Sequence, residues 1–468
     1  ERKRLREALF SKFPEEANAA RNEAWLAELG SPEFPPERID KRISEILDGE
    51  NRWVLIGGPP CQAYSVAGRS RVGGIRQEDH RVYLYKEYLR IIAVHQPAVF
   101  VMENVKGLLS AKVDGEKVFD WILRDLKDPK SVFPEIECPR YRIYSLVNRK
   151  SQLDILDGLN ETIDQDYLIE AEKYGIPQKR HRIILLGVRE DFRTVPPVLK
   201  KKYPPLTLES VIGDLPGIRS GLNRSFVSST MVGGKKKRIY QKEEDSNANW
   251  EIIINGFRQE IISWNGFARN YSDNRITTPS HGIGAEYIKC NTPSRENPLG
   301  KWYSDRKLGG VCNHISRAHL VEDLKRYMFS GMYAKTHKRF PLLSEFNKHG
   351  KELLPDHQSA QTGAFADRFR VQLPDQPATT VTSHISKDGH YFIHYDPDQC
   401  RTLTVREAAR VQTFPDNYLF CGSRTAQYQQ VGNAVPPYLS LQIAEVVFKL
   451  LKKEEEKKAR QPRYDFQI

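Results

Sequence analysis

The pattern of apolar and polar positions predicts buried strands that alternate with helices. Short continuous apolar runs, typical of strands buried on both faces, cover residues 52–56, 98–102, 141–147 and 182–188. Between the first two runs, apolar residues recur at helical spacing over about residues 82–94. Strands of this kind separated by helices are typical of a parallel sheet covered on both faces. The predicted fold class is therefore α/β.

The same pattern predicts helices at both ends of the chain. Residues 1–50 are mostly helical in pattern, with breaks at prolines. Thr404 and Glu407 have the spacing of a capping box, which predicts that a helix begins there. Prolines 436 and 437 can start a last helix, and we expect the charged tail after Lys452 to fray.

Residues 217–366 form a segment with a different texture, rich in Gly, Asn, Ser and aromatic residues and without helical periodicity. This irregular segment contains 23 Lys/Arg and 14 Asp/Glu, so it holds nine of the twelve net positive charges of the chain. It includes the cluster Lys235, Lys236, Lys237 and Arg238. A basic excess of this size favours a polyanionic partner such as nucleic acid, while a solvated cationic face has the same composition.

Composition excludes several classes of protein. The chain has 468 residues, of which 39% are hydrophobic and 28% charged, as expected for two or three globular domains. No apolar run approaches the length of a membrane span and no signal peptide is visible, so we expect no membrane partner. Six cysteines without a C-x-x-C pair indicate a reducing compartment. The spacing of Cys290, Cys312 and His314 matches no common zinc finger, so we predict no metal.

Reactive side chains follow two of the predicted strands. The first strand runs into Pro59, Pro60 and Cys61, and the second into Glu103. Ligands of open α/β sheets bind beyond the carboxyl ends of the strands, so a nucleophile and a carboxyl group are predicted to share one rim. Taken alone, a cysteine is usually a small buried residue, and a single glutamate can be a helix cap or an ion-pair partner.

Five motifs occur together in an order that resembles the DNA (cytosine-5) methyltransferases of prokaryotic restriction–modification systems. They are GGPPCQAYS at 57–65, MENV at 102–105, QKRHR at 178–182, LTVREAAR at 403–410 and QVGNAVPP at 430–437. The resemblance covers about residues 40–215 and 367–450. It implies a Rossmann-like methyltransferase sheet that depends on S-adenosylmethionine, with a basic target-recognition domain inserted at about 217–366.

The resemblance implies a covalent mechanism. Cys61 supplies a thiolate that adds to C6 of a flipped-out cytosine, which turns C5 into a nucleophile toward the methyl donor. Glu103, when protonated, donates to N3 of the base. Arg180 and Arg182 hold phosphate, the base O2 and Glu103. Without the other motifs, this arginine pair would be read as an ordinary basic strand edge.

DNA contacts are assigned to two regions on the same resemblance. Residues 65–80 are rich in Gly, Arg and Ser and suit a loop that closes over the flipped base, although a solvated surface loop has the same composition. The assigned residues are Gln62, Ser65, Arg69, Arg71, Arg76, Lys235, Lys236, Lys237 and Arg238.

The implied cosubstrate is S-adenosylmethionine, with contacts assigned to Asp40, Pro59, Asn433 and Val435. The Phe-x-Gly-x-Gly turn with which the family opens does not occur in this sequence, and the first residue is Glu1. We expect that upstream residues or a separate polypeptide supply this turn, and that the chain alone binds S-adenosylmethionine weakly.

The predicted organisation is a catalytic domain at 1–216 and 367–450, a target-recognition domain at 217–366 and a charged tail at 451–468. The predicted partner is duplex DNA, with a cognate restriction endonuclease as a further candidate. We expect a monomer in the cytoplasm of a bacterium or archaeon, associated with the nucleoid. Two alternatives remain, an inactive or split DNA-binding fragment and a tRNA cytosine-5 methyltransferase; the long basic insert favours duplex DNA.

Overall fold

A computed structural model describes most of the chain, in the ranges 2–60, 84–149, 164–233, 235–264, 274–294, 296–350, 353–355 and 367–460. The chain divides into two compact units. The sheet unit comprises Phe13–Tyr174, His181–Lys201 and Ser440–Ile468, and the large unit comprises Glu1–Lys12, Gly175–Arg180 and Lys202–Leu439.

The described helices, in chain order, are α1 (Arg2–Lys12), α2 (Pro14–Glu23), α3 (Pro36–Leu47), α4 (Tyr85–His95), α5 (Val118–Lys127), α6 (Leu208–Ile212), α7 (Asn247–Ser263), α8 (Gly300–Tyr303), α9 (Val321–His337), α10 (Leu343–Lys348), α11 (Val405–Val411), α12 (Arg424–Asn433) and α13 (Pro437–Arg460). The described strands are β1 (Val54–Gly57), β2 (Val99–Val105), β3 (Lys112–Val113), β4 (Glu116–Lys117), β5 (Tyr141–Tyr144), β6 (Leu168–Glu170), β7 (Gln178–Lys179), β8 (His181–Arg189), β9 (Gly221–Leu222), β10 (Arg224–Val232), β11 (Lys235–Lys242), β12 (Gly284–Lys289), β13 (Gly310–Ile315), β14 (Ala318–His319) and β15 (Ala378–Thr379).

The sheet unit is built on a mixed sheet in the order β1-β2-β8-β5, with β6 also paired to β8. β1 and β2 are parallel, but β8 runs antiparallel to β2, β5 and β6. The α/β class is confirmed, whereas the expectation of a wholly parallel sheet is wrong. The apolar run in β8 indicates a central, buried strand. A strand can be buried in this way whether it runs parallel or antiparallel to its neighbours, so the run does not predict its direction.

The core of the sheet unit lies between this sheet and helices α4 and α5. Phe100 and Met102 of β2 pack with Leu89 of α4 and Ile122 of α5. Gly187 on β8 makes the close packing possible, since a Cβ atom there would lie 2.1 Å from the Phe100 ring.

Helix α13 continues through the charged sequence that we expected to fray. The buried Glu454 accepts hydrogen bonds from the backbone N–H of Thr194, at 3.1 Å, and from the backbone N–H of Arg193. These contacts anchor the last turns, so the helix is ordered to Arg460. The stretch Arg424–Lys457 has the length and apolar composition of a membrane span, which is weak evidence because core helices of soluble proteins pass the same test.

The large unit contains two regular 17-residue helices, α7 and α9, in the segment that looked irregular in sequence. In α9, ten consecutive or nearly consecutive residues between Leu324 and Ala334 are buried, including Arg326 and Ser330. A helix that is covered on all sides shows no apolar stripe, which explains why its periodicity did not appear in the sequence.

The predicted capping box is present at the start of α11. The Thr404 hydroxyl accepts from the backbone N–H of Glu407 at 3.1 Å, and the Glu407 carboxylate accepts from the backbone N–H of Thr404 at 2.7 Å. Glu407 is fully buried and also binds the Arg401 guanidinium through both oxygens, at 2.7 Å each. The residue thus caps the helix and pairs a buried cation.

Candidate active site

A half-buried ion pair joins the central strands of the sheet unit. Glu103 lies within β2, which extends to Val105, rather than after the strand as the sequence suggested. Arg182 lies on the neighbouring β8, and its Nε atom is 2.8 Å from Oε1 of Glu103. About a fifth of each side chain is exposed, 22% for Glu103 and 18% for Arg182. Arg182 therefore fixes the orientation of a carboxyl group that remains accessible.

The backbone that follows β1 passes beside the same carboxyl group. A Cβ atom on Gly58 would lie 3.3 Å from Oε2 of Glu103, so the absence of a side chain leaves room for Glu103. The next residue, Pro59, is buried, and its carbonyl oxygen lies 3.5 Å from Nδ2 of Asn104. The parallel pairing of β1 with β2 thus brings the start of the PPCQ motif to Glu103.

The predicted nucleophile and the first group of DNA contacts lie outside the described residues. These are Cys61, Gln62, Ser65, Arg69, Arg71 and Arg76.

Arg180 lies in the large unit, between β7 and β8, and is almost fully buried. Its Nη1 atom donates to the carbonyl oxygens of Val381, at 2.8 Å, and Gly432, at 3.4 Å. Gly432 packs tightly, since a Cβ atom there would lie 2.4 Å from the backbone N of Ser383. Arg180 therefore supports the backbone just before Asn433.

Two buried glutamines, Gln178 and Gln412, hold the backbone before and after Asn433. The sequence analysis did not predict this link. Nε2 of Gln178 donates to Oε1 of Gln412 at 2.6 Å, and Oε1 of Gln178 accepts from the backbone N–H of Val381 at 3.0 Å. Nε2 of Gln412 in turn donates to the carbonyl oxygens of Val431 and Ala434. Gln178 belongs to a recognised motif, but no sequence signal marks Gln412 as its partner.

The four predicted cofactor contacts have different surroundings. Pro59 follows β1 in the sheet unit, as described above. In the large unit, Asn433 ends α12 with an exposed side chain, and Val435 is half-buried in the turn before α13.

Asp40 on α3, the fourth predicted contact, is engaged within the sheet unit. Its two oxygens accept from Arg90 on α4, at 2.8 and 3.0 Å, and His95 Nε2 lies 2.9 Å from Oδ1. Burial raises the pKa of Asp40, but the hydrogen bonds from Arg90 and His95 outweigh it and lower the pKa. These contacts join α3 to α4.

The second group of predicted DNA contacts lies on the two-stranded ribbon of β10 and β11. Lys237 and Arg238 are exposed, and the ladder pairs them with Thr230 and Ser229. Lys235 and Lys236 occupy the ladder positions opposite Val232 and Met231.

The side chains considered for metal binding have other partners. His314 is buried, with Nδ1 3.0 Å from the Thr404 hydroxyl and Nε2 2.8 Å from the Pro216 carbonyl oxygen. A different group, Glu170, Glu172 and His181, brings its ligand atoms within 4.8 Å of one another. In that group Lys173 pairs with Glu170, and His181 Nε2 lies 2.9 Å from Glu172, so we assign no metal there.

The comparison with known proteins decides the family. The family model for the C-5 cytosine-specific DNA methylases matches residues 33–129 and 163–449. The chain belongs to this family. It is a DNA (cytosine-5) methyltransferase, an α/β enzyme that takes its methyl group from S-adenosylmethionine.

Related proteins match nearly the whole chain. The type II methyltransferase M.Bpa9945I of Bacillus paralicheniformis is 31% identical over an alignment of 455 positions that covers 94% of this chain and 81% of the relative. The type II methyltransferase M.AgeI of Thalassovita gelatinovora is 25% identical over 84% of this chain and 82% of its own length. The DNA (cytosine-5-)-methyltransferase M.ApeKI of Aeropyrum pernix is 26% identical over 86% of this chain and 83% of its own length.

Proposed function

We propose that this methyltransferase acts on a cytosine flipped out of duplex DNA, with Cys61 as the nucleophile and Glu103 as the acid that assists it. The observation that carries the proposal is the position of Gly58, whose Cβ would lie 3.3 Å from Oε2 of Glu103. Cys61 follows Gly58 by three residues in the sequence. A cytosine inside a duplex is inaccessible to both groups, which is why base flipping is required.

The proposed reaction balances as two half-steps. The Cys61 thiolate adds to C6 while protonated Glu103 gives its proton to N3, which leaves an enamine whose C5 is nucleophilic. S-adenosylmethionine supplies an electrophilic methyl group, which C5 takes with release of S-adenosylhomocysteine. A base then removes the hydrogen from C5, the C6–S bond breaks to regenerate the Cys61 thiolate, and the proton at N3 returns to Glu103.

We propose positioning roles for the two arginines. Arg182 holds the Glu103 carboxyl group through the 2.8 Å contact and presents its remaining guanidinium edge to the base O2 or a phosphate. Arg180 is nearly fully buried, so its proposed role is to hold the backbone at Gly432 rather than to contact phosphate.

The proposed contacts to S-adenosylmethionine are Pro59, Asn433 and Val435. Asn433 fits because its exposed side chain ends a helix whose last turn is fixed by Arg180 and Gln412. Asp40 fits poorly, because its carboxylate already binds Arg90 and His95. We propose that Asp40 supports the helix pair α3–α4 instead of contacting adenine.

The proposed biological setting is modification of duplex DNA by a monomer in a restriction–modification system. The basic composition of residues 217–366 supports a target-recognition domain in that segment. The relatives are named as type II methyltransferases, which supports the restriction–modification setting. A cognate endonuclease is the proposed partner in the cell, and the cytoplasm, on the nucleoid DNA, is the proposed location.

Methyl transfer to two substrates tests this function. At a concentration of S-adenosylmethionine high enough to offset the expected weak binding, wild-type protein should transfer labelled methyl groups to duplex DNA and not to tRNA, and the product should be 5-methylcytosine. Cys61→Ser should abolish transfer while DNA affinity is retained. Preferential methylation of tRNA, or DNA binding without methylation by the wild type, would instead support one of the two alternatives.

A further inference from the structure

Thr413 has a backbone conformation that its residue type disfavours. Its φ is 64°, in the left-handed region, and among the residues that the structure describes it is the only β-branched residue with a positive φ. A branched Cβ crowds the backbone in this region, so the surrounding structure must hold such a residue in place. Thr413 is fully buried and directly follows Gln412 in the sequence. The strained residue is therefore the neighbour of the glutamine that holds the backbone on both sides of Asn433.

Hydrogen bonds fix both the peptide groups and the side chain of Thr413. Nε1 of Trp302 donates to the Thr413 carbonyl oxygen at 2.7 Å, and the backbone N–H of Thr413 donates to the Arg410 carbonyl oxygen at 2.8 Å. The Thr413 hydroxyl accepts from the backbone N–H of Tyr438 at 3.1 Å. The Trp302 and Tyr438 rings also pack together, with 5.2 Å between their centroids. Trp302, Thr413 and Tyr438 thus form one cluster within the large unit.

The Thr413 hydroxyl caps the start of α13. The first backbone N–H groups of a helix have no carbonyl partner within the helix, and a side-chain oxygen of the preceding residue usually accepts from one of them. The residue before α13 is Pro436, which has no side-chain acceptor, and Pro437 has no N–H, so Tyr438 supplies the first backbone donor of the helix. Thr413, 25 positions earlier in the chain, supplies the acceptor. This contact fixes the point at which the helix begins.

Thr413 and Gln412 hold opposite ends of one turn. Gln412 holds the start of the turn through the two carbonyl oxygens described above, and Thr413 holds the end through Tyr438. Asn433 and Val435, the two contacts to S-adenosylmethionine proposed in the large unit, lie within this stretch of the chain. A turn that is fixed at both ends loses little conformational freedom when a ligand binds, which favours affinity.

We propose that Thr413 is a positioning residue for S-adenosylmethionine, which acts by fixing the turn that carries Asn433 and Val435. A left-handed backbone at a β-branched residue is the kind of strain that persists where the surrounding contacts serve a site. The contacts that hold it here are those of Thr413 with Trp302 and Tyr438. This inference rests on the proposed function only in taking Asn433 and Val435 as contacts to the cosubstrate.

Binding of labelled S-adenosylmethionine to the full chain, measured by equilibrium dialysis up to millimolar concentrations, tests the proposal. Thr413→Val and Thr413→Gly both remove the hydroxyl, and glycine adopts the left-handed conformation readily, so the second variant should fold even if the first does not. We expect the dissociation constant to rise about tenfold in both variants, as when the turn occupies its binding geometry about a tenth of the time. Thr413→Ser keeps the hydroxyl and should bind as the wild type does.

Thr207→Val is the matched control. The Thr207 hydroxyl caps α6 in the same unit by accepting from the backbone N–H of Ser210 at 3.3 Å. This control should lower the stability of the unit without changing the dissociation constant. A rise in the dissociation constant of the same size in Thr207→Val would overturn the specific role of Thr413, and absence of binding by the wild type would overturn the proposal as a whole.

Hydrogen exchange of residues 431–439, measured by mass spectrometry without any ligand, tests whether the turn itself is held. Exchange should be faster in Thr413→Val than in the wild type, and it should not change in Thr413→Ser or Thr207→Val. Faster exchange with an unchanged dissociation constant would overturn the cosubstrate role and leave Thr413 as a helix cap. If binding and exchange follow these expectations but the wild type forms no 5-methylcytosine, the proposed function fails and the role of Thr413 stands.

Discussion

Arg182 and Glu103 meet across neighbouring antiparallel strands, with the arginine Nε atom 2.8 Å from Oε1 of the carboxyl group. The second oxygen, Oε2, faces the backbone at Gly58, which directly follows β1, the strand on the other side of β2. One carboxyl group is thus oriented by a cation on β8 and bordered by the chain that leads to Cys61.

Arg182→Gln should lower the rate of methyl transfer by about 100-fold, because a carboxyl group displaced by about 1 Å loses its alignment with the base. DNA affinity should fall much less than the rate, since the contact that Arg182 offers to the base O2 or a phosphate is one of many contacts to DNA. The measurement is a comparison of kcat with the dissociation constant for duplex DNA. Arg193→Gln, at an exposed position after β8, is the matched control. An equal loss of DNA affinity would show that Arg182 acts mainly on the phosphate backbone.

Gly58→Ala should lower kcat by about tenfold with little change in the unfolding temperature. The added methyl group would lie 3.3 Å from Oε2 of Glu103, so the flexible carboxyl group must shift by a few tenths of an ångström. Thermal unfolding and methyl transfer measured on the same preparation separate the two effects. Full activity in Gly58→Ala would contradict the placement of Glu103 beside this backbone.

Gly432→Ala should destabilise the large unit by about 1–3 kcal/mol or more, since the new methyl group would lie 2.4 Å from the backbone of Ser383. The backbone at Ser383 cannot shift to relieve this clash as easily as the end of a flexible side chain could. Urea unfolding measures the change in the free energy of unfolding. Gly256→Ala is the control, because its Cβ would meet nothing within 4 Å and the substitution should stabilise α7 by about 1 kcal/mol. Equal stability of the two variants would contradict the close approach.

His314 should make the large unit less stable in mild acid. Burial lowers the pKa of His314 from 6.5 to about 4, because the charged imidazolium would lose its hydration in the protein interior. Between these values the unfolded chain binds a proton that the folded chain does not, so the free energy of unfolding falls as the pH falls. The contribution lost between pH 7 and pH 5 is about 2 kcal/mol.

Urea unfolding of the wild type and of His314→Gln at both pH values checks this prediction. The variant should be less stable at pH 7 but should lose less stability on acidification. The same loss in both proteins would show that other groups carry the pH dependence.

The strands that position the site were predictable because each is a short, continuous apolar run. The positions of β1 and β2 in the sequence followed from those runs, and the rule for strand ends predicted that the segment after β1 and Glu103 share one rim. Strand direction was not predictable, since the same apolar run serves a central strand in either direction. Sequence reasoning also stopped β2 too early, because a polar residue such as Glu103 within a strand resembles the start of a loop.

The large unit was harder to predict because its elements depend on distant partners. Helix α9 is covered on all sides and shows no apolar stripe. The hydrogen bond between Gln178 and Gln412 joins residues 234 positions apart. The order of the last turns of α13 depends in the same way on the contact between Thr194 and Glu454. No local pattern contains such information.

Release of tritium from C5 of cytosine tests the central claim most directly, because it reports the addition of Cys61 without requiring methyl transfer. Addition of the thiolate at C6 lets C5 take a proton from water, and elimination then returns either hydrogen to the solvent. Duplex DNA labelled throughout with 5-tritiated cytosine offers every sequence context. We predict that the wild-type protein releases tritium, that Glu103→Gln releases it more slowly and that Cys61→Ala releases none above background. Release from Cys61→Ala at the wild-type rate would contradict the assignment of Cys61 as the nucleophile.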